Sequence, residues 1–157
     1  MRPPQDQLAG RYPIMAEHAA NPGFRTLTAT VDGTLAGFCY GFHGAPGQWW
    51  HDRVRFALGQ PAAGEWLGDC LEIAELHVLP EYQGRGIGSR LLRDLTIGRA
   101  ERTVVLSTSD SETVARRLYR DNGFTDLLTG FLFDPLMPAY AVMGAELPLR
   151  AARPSRS

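Results

Sequence analysis

Cysteine is scarce in this chain of 157 residues, which contains only Cys39 and Cys70. Two cysteines are too few for a disulfide framework, and neither belongs to a CxxC pair, so reduced thiols are expected. Long apolar runs are lacking too: no stretch approaches the roughly 18 apolar residues of a membrane span, and the N-terminus has no continuous apolar segment like that of a secretion signal. These absences give no support to secretion or membrane insertion and predict a cytoplasmic protein.

An excess of charge of either sign is also missing. The 16 basic residues face 17 acidic ones, which gives a net charge of −1 and a pI near 6.4. Nucleic-acid-binding domains commonly present a strongly basic surface, so no nucleic-acid partner is expected. The four histidines show no HExxH or comparable spacing, and no metal is predicted. The length and the 44% hydrophobic content fit a single domain over residues 1–157.

The first half of the chain predicts a helical start followed by a hairpin. Residues 1–23 are expected to form a partial N-terminal helical region that ends in a turn. The segments RTLTATV and TLAGFCYGF then predict two strands, because the intervening Asp32-Gly33 supplies the positive φ angles that a two-residue hairpin turn needs. Residues 44–69 predict an inserted segment with one short amphipathic helix. Its apolar residues at helical spacing are Trp50, Val54 and Leu58.

The second half alternates predicted strands and helices. Residues 71–79 predict a strand buried for most of its length, followed by a glycine-rich loop and a helix that ends near Gly98. TVVLS predicts the next strand, and the Ser109…Glu112 spacing predicts a capping box for a second helix. The stripe expected to be buried on that helix is Val114, Ala115, Leu118 and Tyr119. Two further strands are predicted within 124–133 and 139–147, and residues 148–157 are expected to be a frayed tail.

The glycine-rich stretch EYQGRGIGSRLL predicts an anion site. A helix N-terminus presents unpaired N–H groups and partial positive charge, and glycine lets an anion approach the backbone closely. A Walker loop is excluded because no lysine stands at the required place, and a dinucleotide fingerprint is disfavoured because the glycines run GxGxG instead of GxGxxG. A plain strand-to-helix turn without a ligand is the structural alternative.

Two motifs together resemble a known family. LHVLPEYQGRGIGSRLL, followed downstream by LYRDNGF, closely resembles the Gcn5-related N-acetyltransferase (GNAT) family, whose signature is Q/R-x-x-G-x-G/A. Gln83, Gly86 and Gly88 fill that signature. The resemblance implies an α/β fold with a mixed, mostly antiparallel twisted sheet of about six strands flanked by helices. It also implies acetyl-CoA as co-substrate.

The resemblance further implies which residues bind acetyl-CoA. The strand before the loop would be splayed from its neighbour, so that the pantetheine arm pairs with backbone groups there, and the diphosphate would rest on the amides of the loop. The strand residues are Leu76, His77 and Val78. The loop residues are Gln83, Gly84, Arg85, Gly86, Ile87, Gly88 and Ser89.

Acetyl transfer to an amine also calls for a base. Glu72 lies eleven residues before Gln83, where the family places a catalytic carboxylate or histidine, so it resembles the general base. Strand alternation puts Glu75 and His77 on the opposite face from Glu72 unless a bulge inverts the register. Glu75 is the second choice, and a structural role is the first expectation for both Glu75 and His77. For Glu72 the alternative is a surface carboxylate or an ion-paired one.

Tyr119 resembles the family's tyrosine that protonates the departing thiolate, because it lies at the corresponding position on the second helix. Its structural alternative is a packed core tyrosine. The family often has an asparagine near the start of this helix, where this chain has Glu112. Cys70 has no base paired with it in the sequence, so we interpret it as a buried thiol instead of an acyl carrier.

Two further departures from the family pattern concern the start of the chain and the inserted segment. The first family strand is apparently missing, which predicts an unpaired or partner-covered edge beside the first hairpin strand. The adjacent Trp49 and Trp50 cannot face the same way on a helix, so one should pack inward while the other contributes to an acceptor pocket, a dimer contact or the core.

Three functions are compatible with these features. The first is an acetyl-CoA-dependent N-acetyltransferase that acts on a primary amine of a small molecule, peptide or protein; both a monomer and a homodimer are compatible with it. The second is a non-catalytic module that binds or senses acyl-CoA. The third is a nucleotide-binding module that uses the loop for a plain phosphate. Glu72 and Tyr119 favour the first.

Overall fold

A computed structural model describes residues 15–150 of the chain. Its regular elements are β1 (Arg25–Val31), β2 (Thr34–His43), α1 (Trp49–Leu58), α2 (Ala62–Leu67), β3 (Cys70–Val78), α3 (Ile87–Thr96), β4 (Thr103–Ser109), α4 (Val114–Asp121), β5 (Thr125–Phe131) and β6 (Tyr140–Glu146). A short 3₁₀ turn, Pro80–Tyr82, precedes the glycine loop. Within 15–150, no helix is both long and apolar enough to cross a bilayer.

The described residues fall into two compact units. The first unit contains the residues up to His43 and Ile73–Leu95; the second contains Gly44–Glu72 and the residues from Thr96 onwards. Strand order is β1-β2-β3 in the first unit and β3-β4-β6-β5 in the second, so β3 contributes to both. The sheet has six strands and one parallel pair, β3 with β4, which confirms the predicted mixed α/β class. The assignment of residues 1–157 to a single domain stays a prediction.

The first unit is built on the predicted hairpin. Asp32 and Gly33 both have positive φ, 50° and 79°, as a tight two-residue turn requires. Helix α3 packs on the face of β2 that carries Cys39, whose thiol donates to the Leu91 carbonyl at 3.8 Å. A guanidinium nitrogen of Arg25 donates to the carbonyl of Leu95 at 3.0 Å, which ties β1 to the end of the same helix.

Gly37 allows β2 to lie close to the end of β3. A Cβ atom added at this glycine would lie 2.6 Å from the carbonyl oxygen of His77 and 3.4 Å from the Cα of Val78. Such a contact is too short for any side chain, and the neighbouring atoms belong to backbone that cannot rotate away. The spacing of the two strands at His77 therefore depends on a glycine at position 37.

The second unit contains β4 between two partners. Strand β4 pairs in parallel with residues Cys70 to Glu72 of β3 and antiparallel with β6. Strand β6 also pairs antiparallel with β5. Residues 44–69 hold two helices, α1 and α2, so the prediction of one helix in this segment is wrong. Gln60-Pro61 separates the two, since a proline ends a helix and is tolerated again only in a first turn. The buried core they cover contains Val54, Leu67, Cys70, Val105 and Val142.

The two tryptophans of α1 face different ways, as expected. Trp50 is half-buried against this core, and its indole N–H donates to the hydroxyl of Ser107 at 3.1 Å. Trp49 is 62% exposed, with its ring 5.5 Å from that of Phe133 and under the guanidinium of Arg53. Trp50 is therefore a packing residue, and Trp49 is a surface residue.

Helix α4 starts later than the sequence predicts. Its N-cap is Thr113, whose hydroxyl accepts the N–H of Arg116, so the prediction of a capping box at Ser109 and Glu112 is wrong. Val114 was expected to be buried but is 55% exposed. The residues that α4 buries are Arg116 and Tyr119.

Arg116 joins three elements of the second unit. Its side chain is 7% exposed, and it donates to Asp110 after β4 at 2.8 Å and to Asp126 on β5 at 3.1 Å. Asp110 also accepts the backbone N–H of Gly130. One buried guanidinium therefore holds the end of β4, helix α4 and strand β5 together.

Parts of the predictions for the two ends of the chain lie outside the described residues, namely those for residues 1–14 and 151–157. Residues 15–19 are helical, in line with the predicted helical region, and no strand occurs within 15–24. Strand β1 is the outermost strand of the first unit in the part of the chain that the structure describes.

Replacement of Arg116 by methionine should destabilise the protein by about 3 kcal/mol, because it leaves two carboxylates facing each other without their cation. Chemical denaturation of Arg116→Met beside Arg117→Met, an exposed arginine of the same helix, measures the difference. Equal unfolding midpoints for the two variants would show that the Arg116 network contributes nothing to stability.

Candidate functional site

The glycine loop has a backbone that only glycine adopts readily. Gly84 and Gly86 have φ angles of 77° and 81°. A Cβ added at either residue would have no heavy atom within 4 Å, so the requirement for glycine comes from backbone conformation and not from crowding. The space beside both residues is open, and an anion could approach their amides directly.

Helix α3 begins at the end of this loop. The carbonyl of Gly86 accepts the N–H of Arg90 at 3.1 Å, which is the first hydrogen bond of the helical turn. The N–H groups that follow Gly86 therefore belong to the first turn, where they have no acceptor within the helix and lie at the positive end of its dipole. The guanidinium of Arg85 stacks over the ring of Tyr82 at 5.3 Å and adds positive charge beside the loop. This geometry suits a phosphate or diphosphate.

The loop is anchored to the strand before it. The side-chain amide of Gln83 donates to the carbonyl of Val78 at 3.1 Å, and the N–H of Leu79 donates to the carbonyl of Ala36 on β2 at 2.8 Å. The end of β3 is thus fixed on its β2 side. Within residues 15–150, the pairing of β3 with β4 covers only Cys70 to Glu72, so Leu76, His77 and Val78 lie beyond it.

Glu72 is buried in the second unit. It is 4% exposed, and none of the described residues donates a hydrogen bond to its Oε1. Because burial disfavours the charged form, the pKa of Glu72 rises from its ordinary value to about 8. The alternative that Glu72 is a surface carboxylate is therefore wrong. A buried carboxyl with a pKa near neutrality is typical of groups that move protons.

Tyr119 is also buried in the second unit, at 5% exposed, with its ring 5.5 Å from that of Phe124. Glu112, which replaces the family's asparagine, lies before the helix and forms an ion pair with Arg120 at 3.0 Å. The predicted buried stripe of α4 is thus partly correct, because Tyr119 is buried. Packing against Phe124 would explain this burial as well as a catalytic role would.

The two cysteine thiols are buried and unreactive. Burial raises the pKa of Cys39 to about 12, and burial followed by the nearby carboxylates raises the pKa of Cys70 to about 12 as well. Neither cysteine forms a disulfide. A thiol with so high a pKa is a poor nucleophile at neutral pH, in line with the interpretation of Cys70 as a buried thiol.

Glu75 and His77 behave differently from Glu72. Their side chains are 28% and 46% exposed and are hydrogen-bonded to each other. They belong to a cluster that sequence reasoning missed, because its other members, His18 and Tyr40, come from distant parts of the chain. The alternation of Phe38, Tyr40 and Phe42 along β2 could have indicated a shared face, but not its neighbours on β3.

The predicted cofactor residues form one continuous path in the first unit, from the end of β3 through the glycine loop into the first turn of α3. The predicted catalytic residues, Glu72 and Tyr119, both belong to the second unit. Strand β3 carries Glu72 and leads directly into the cofactor residues. Among the residues 15–150, no group of histidine, cysteine, aspartate or glutamate side chains is arranged to hold a metal ion.

Known proteins share both the sequence and the fold. The model of the Acetyltransferase (GNAT) family matches residues 2–124. A relative from Mycobacterium tuberculosis (strain ATCC 25618 / H37Rv), named GCN5-like protein acetyltransferase Rv2170, is 36% identical over 179 aligned residues, which cover 95% of this chain and 87% of the relative.

Solved structures agree with this match. A protein of Desulfovibrio desulfuricans, described as a putative acetyltransferase of the GNAT family, superposes with a TM-score of 0.63 at 18% identity, over 93% of this chain and 83% of its own. The PaiA N-acetyltransferase of Thermoplasma acidophilum, solved in complex with coenzyme A, superposes with a TM-score of 0.55 at 18% identity, over 91% and 71%. At these identities the structures show the fold alone. The family match and the relative from Mycobacterium tuberculosis confirm the resemblance: the chain belongs to the GNAT family of acetyltransferases.

Proposed function

We propose that the protein transfers an acetyl group from acetyl-CoA to a primary amine of a small molecule, peptide or protein, by direct attack of the amine on the thioester. The observation that carries the proposal is the glycine loop, whose backbone is left-handed at Gly84 and Gly86 and has open space beside both residues, directly before the N-terminus of α3. Acetyl-CoA is an acyl donor whose diphosphate matches such a site. The structural neighbour from Thermoplasma acidophilum was solved with coenzyme A, which supports the choice of donor.

The residues of the first unit would bind the donor. The diphosphate would contact the amides from Gly84 to Ser89, with Arg85 contributing charge. The N–H of Gln83, which was also predicted to contact it, instead donates to the carbonyl of Pro80. The pantetheine arm would pair with backbone groups of Leu76, His77 and Val78, which lie past the part of β3 that pairs with β4. The side chain of Gln83, by holding Val78, would keep the strand and the loop in register for this contact.

Glu72 would accept the proton of the attacking amine, directly or through water. An alkylamine has a pKa of about 10.4, so its deprotonation at pH 7 costs roughly 4.6 kcal/mol. Ordinary carboxylates are weak bases for this task, whereas a carboxylate whose pKa is raised to about 8 by burial binds a proton far more strongly. The raised pKa also means that only a minor fraction of Glu72 is ionised at pH 7.

Tyr119 would donate a proton to the departing CoA thiolate. A phenol can donate without being ionised beforehand, and its burial shields the proton from exchange with solvent. The transfer would then balance: the ammonium first loses one proton to solvent, the neutral amine nitrogen forms the bond to the acetyl carbon and gives a second proton to Glu72, the carbon–sulfur bond breaks, and the sulfur receives a proton from Tyr119. Solvent would afterwards reprotonate Tyr119 and accept the proton from Glu72.

Replacement of Gly86 by alanine should weaken acetyl-CoA binding about tenfold, because a residue with a Cβ adopts a positive φ at a cost of roughly 1 to 2 kcal/mol. Isothermal titration with acetyl-CoA measures the effect. Gly33→Ala is a matched control, since Gly33 has a φ of 79° and equally open surroundings but lies in the hairpin turn. Unchanged affinity in Gly86→Ala, or an equal loss in Gly33→Ala, would argue against the loop as the diphosphate site.

The activity should rise with pH through about 8, because the basic form of Glu72 appears only as its raised pKa is passed. The variant Glu72→Gln should lose that rise and about 100-fold in kcat/KM at pH 8.5, while its affinity for acetyl-CoA is kept. Glutamine resembles the neutral carboxyl that the fold buries below pH 8, so the variant should remain folded. CoA release is the measurement, and equal turnover in the variant would reject Glu72 as the base.

Tyr119→Phe should reduce kcat about 100-fold with little change in the KM for acetyl-CoA, since it removes a proton donor and keeps the ring that packs against Phe124. Tyr140→Phe, on β6, is the control. Full turnover in Tyr119→Phe would assign that tyrosine to the core. Acetyl-CoA binding without turnover of any amine by the unmodified protein would instead favour the non-catalytic alternative.

A further inference from the structure

One face of the first unit gathers two imidazoles, a phenol and a carboxylate. Glu75 and His77 are two residues apart on β3, so their side chains lie on the same face, where they are hydrogen-bonded. The ring of His77 lies 5.3 Å from that of Phe38 on β2. The N–H of Leu79 donates to the carbonyl of Ala36, which joins the ends of β2 and β3 next to this ring contact.

The N-terminal helical residues cover part of this face. Nδ1 of His18 lies 3.1 Å from the hydroxyl of Tyr40, and the His18 ring is 5.0 Å from that of Phe42. Burial lowers the pKa of His18, while the carboxylates of Glu17 and Glu75 act in the opposite direction. His18 is therefore largely uncharged at neutral pH and does not compete with a cation for Glu75. We call the set Glu17, His18, Phe38, Tyr40, Glu75 and His77 the acidic aromatic face.

The chemistry of the acidic aromatic face suits a cation. Carboxylates attract it, and aromatic rings stabilise ammonium groups that approach their faces. Tyr40 is 3% exposed and serves as the floor, whereas Glu75 and His77 are reachable from solvent. Fixed by its hydrogen bond to His77, the Glu75 carboxylate is held in place before a ligand arrives.

The two glutamates of β3 differ in what they can offer an amine. An alkylamine arrives protonated at neutral pH, because its pKa is about 10.4. Glu72 is buried, with a pKa raised to about 8, and so carries little charge with which to attract a cation. Glu75, at 28% exposed, can meet the cation at the surface.

We propose that the acidic aromatic face binds an alkylammonium group of the acceptor, with Glu75 as its counter-ion and the ring of Phe38 beside it. The inference rests on the proposed transfer to a primary amine and narrows its acceptor to cationic compounds, such as alkyl diamines or lysine-like side chains. His18 and Tyr40 act as positioning residues that hold the floor of the subsite.

Binding can be tested without acetyl-CoA. 1,4-Diaminobutane and the uncharged butane-1,4-diol are titrated separately into ¹⁵N-labelled protein at constant ionic strength, and the imidazole signals of His18 and His77 are followed by NMR. The diamine should shift both signals saturably and the diol should not. Equal responses to the two compounds, or no response to the diamine, would overturn the proposal.

Matched variants localise the effect. Glu75→Gln should weaken the diamine about tenfold, as expected for a lost charge-assisted hydrogen bond. Glu65→Gln, an exposed glutamate of the second unit, should have no effect. Phe38→Leu keeps an apolar side chain but removes the ring face, and should weaken the diamine about threefold. Undiminished affinity in both Glu75→Gln and Phe38→Leu would overturn the assignment, and each variant checks the other in case one fails to fold.

Kinetics separate this inference from the proposed function. Acetylation of the diamine is followed by CoA release; the chain contains no lysine, so its own side chains contribute no background. Glu75→Gln should raise the KM for the diamine about tenfold and change kcat less than twofold. Saturable diamine binding without any acetyl transfer would refute the proposed function and leave the subsite standing. Acetyl transfer with an unchanged KM in Glu75→Gln would refute the subsite alone.

Discussion

The hydrogen bonding of strand β3 is the constraint on which the functional features depend. The strand pairs in parallel with β4 as far as Glu72, and its end is fixed to β2 by the bond from Leu79 to Ala36. A strand that kept both partners to its end would have every backbone group occupied and no place for an extended ligand. Because the described pairing with β4 stops early, the same nine residues can carry a buried carboxyl at one end and lead into the glycine loop at the other.

Burial gives two glutamates of this strand opposite properties. Glu72 is 4% exposed, no described residue donates to its Oε1, and its pKa rises because the charged form loses its hydration. Glu75, three residues later, is partly exposed and hydrogen-bonded to an imidazole whose ring lies beside that of Phe38. Neither property belongs to glutamate itself. Each follows from how far the side chain is buried and from what packs against it.

The sequence predicted well whatever depends on local conformation. The hairpin turn at Asp32-Gly33 and the loop at Gly84 and Gly86 have positive φ angles, and glycine in the sequence directly indicates such positions. The start of α4 was mispredicted, because Ser109, Ser111 and Thr113 all resemble caps and the choice among them follows from tertiary contacts. A buried arginine held between two aspartates overrides the apolar stripe that a helical period would predict. The acidic aromatic face could not be predicted either, since it joins residues 18, 40 and 75, whose proximity depends on strand pairing and helix packing.

Glycine is required at three positions of the first unit for two different physical reasons. At Gly84 and Gly86 the space for a side chain is open, and the requirement for glycine comes from the positive φ angle. Asparagine, which tolerates the left-handed region, would therefore be the least disruptive replacement. At Gly37 the backbone is ordinary, and what matters is volume, because the carbonyl of His77 occupies the place of a side chain. No residue larger than glycine can relieve that contact except by displacing the backbone of His77 and Val78. A glycine that carries no reactive group thus permits the close approach of β2 to the strand end along which the donor's pantetheine arm would lie.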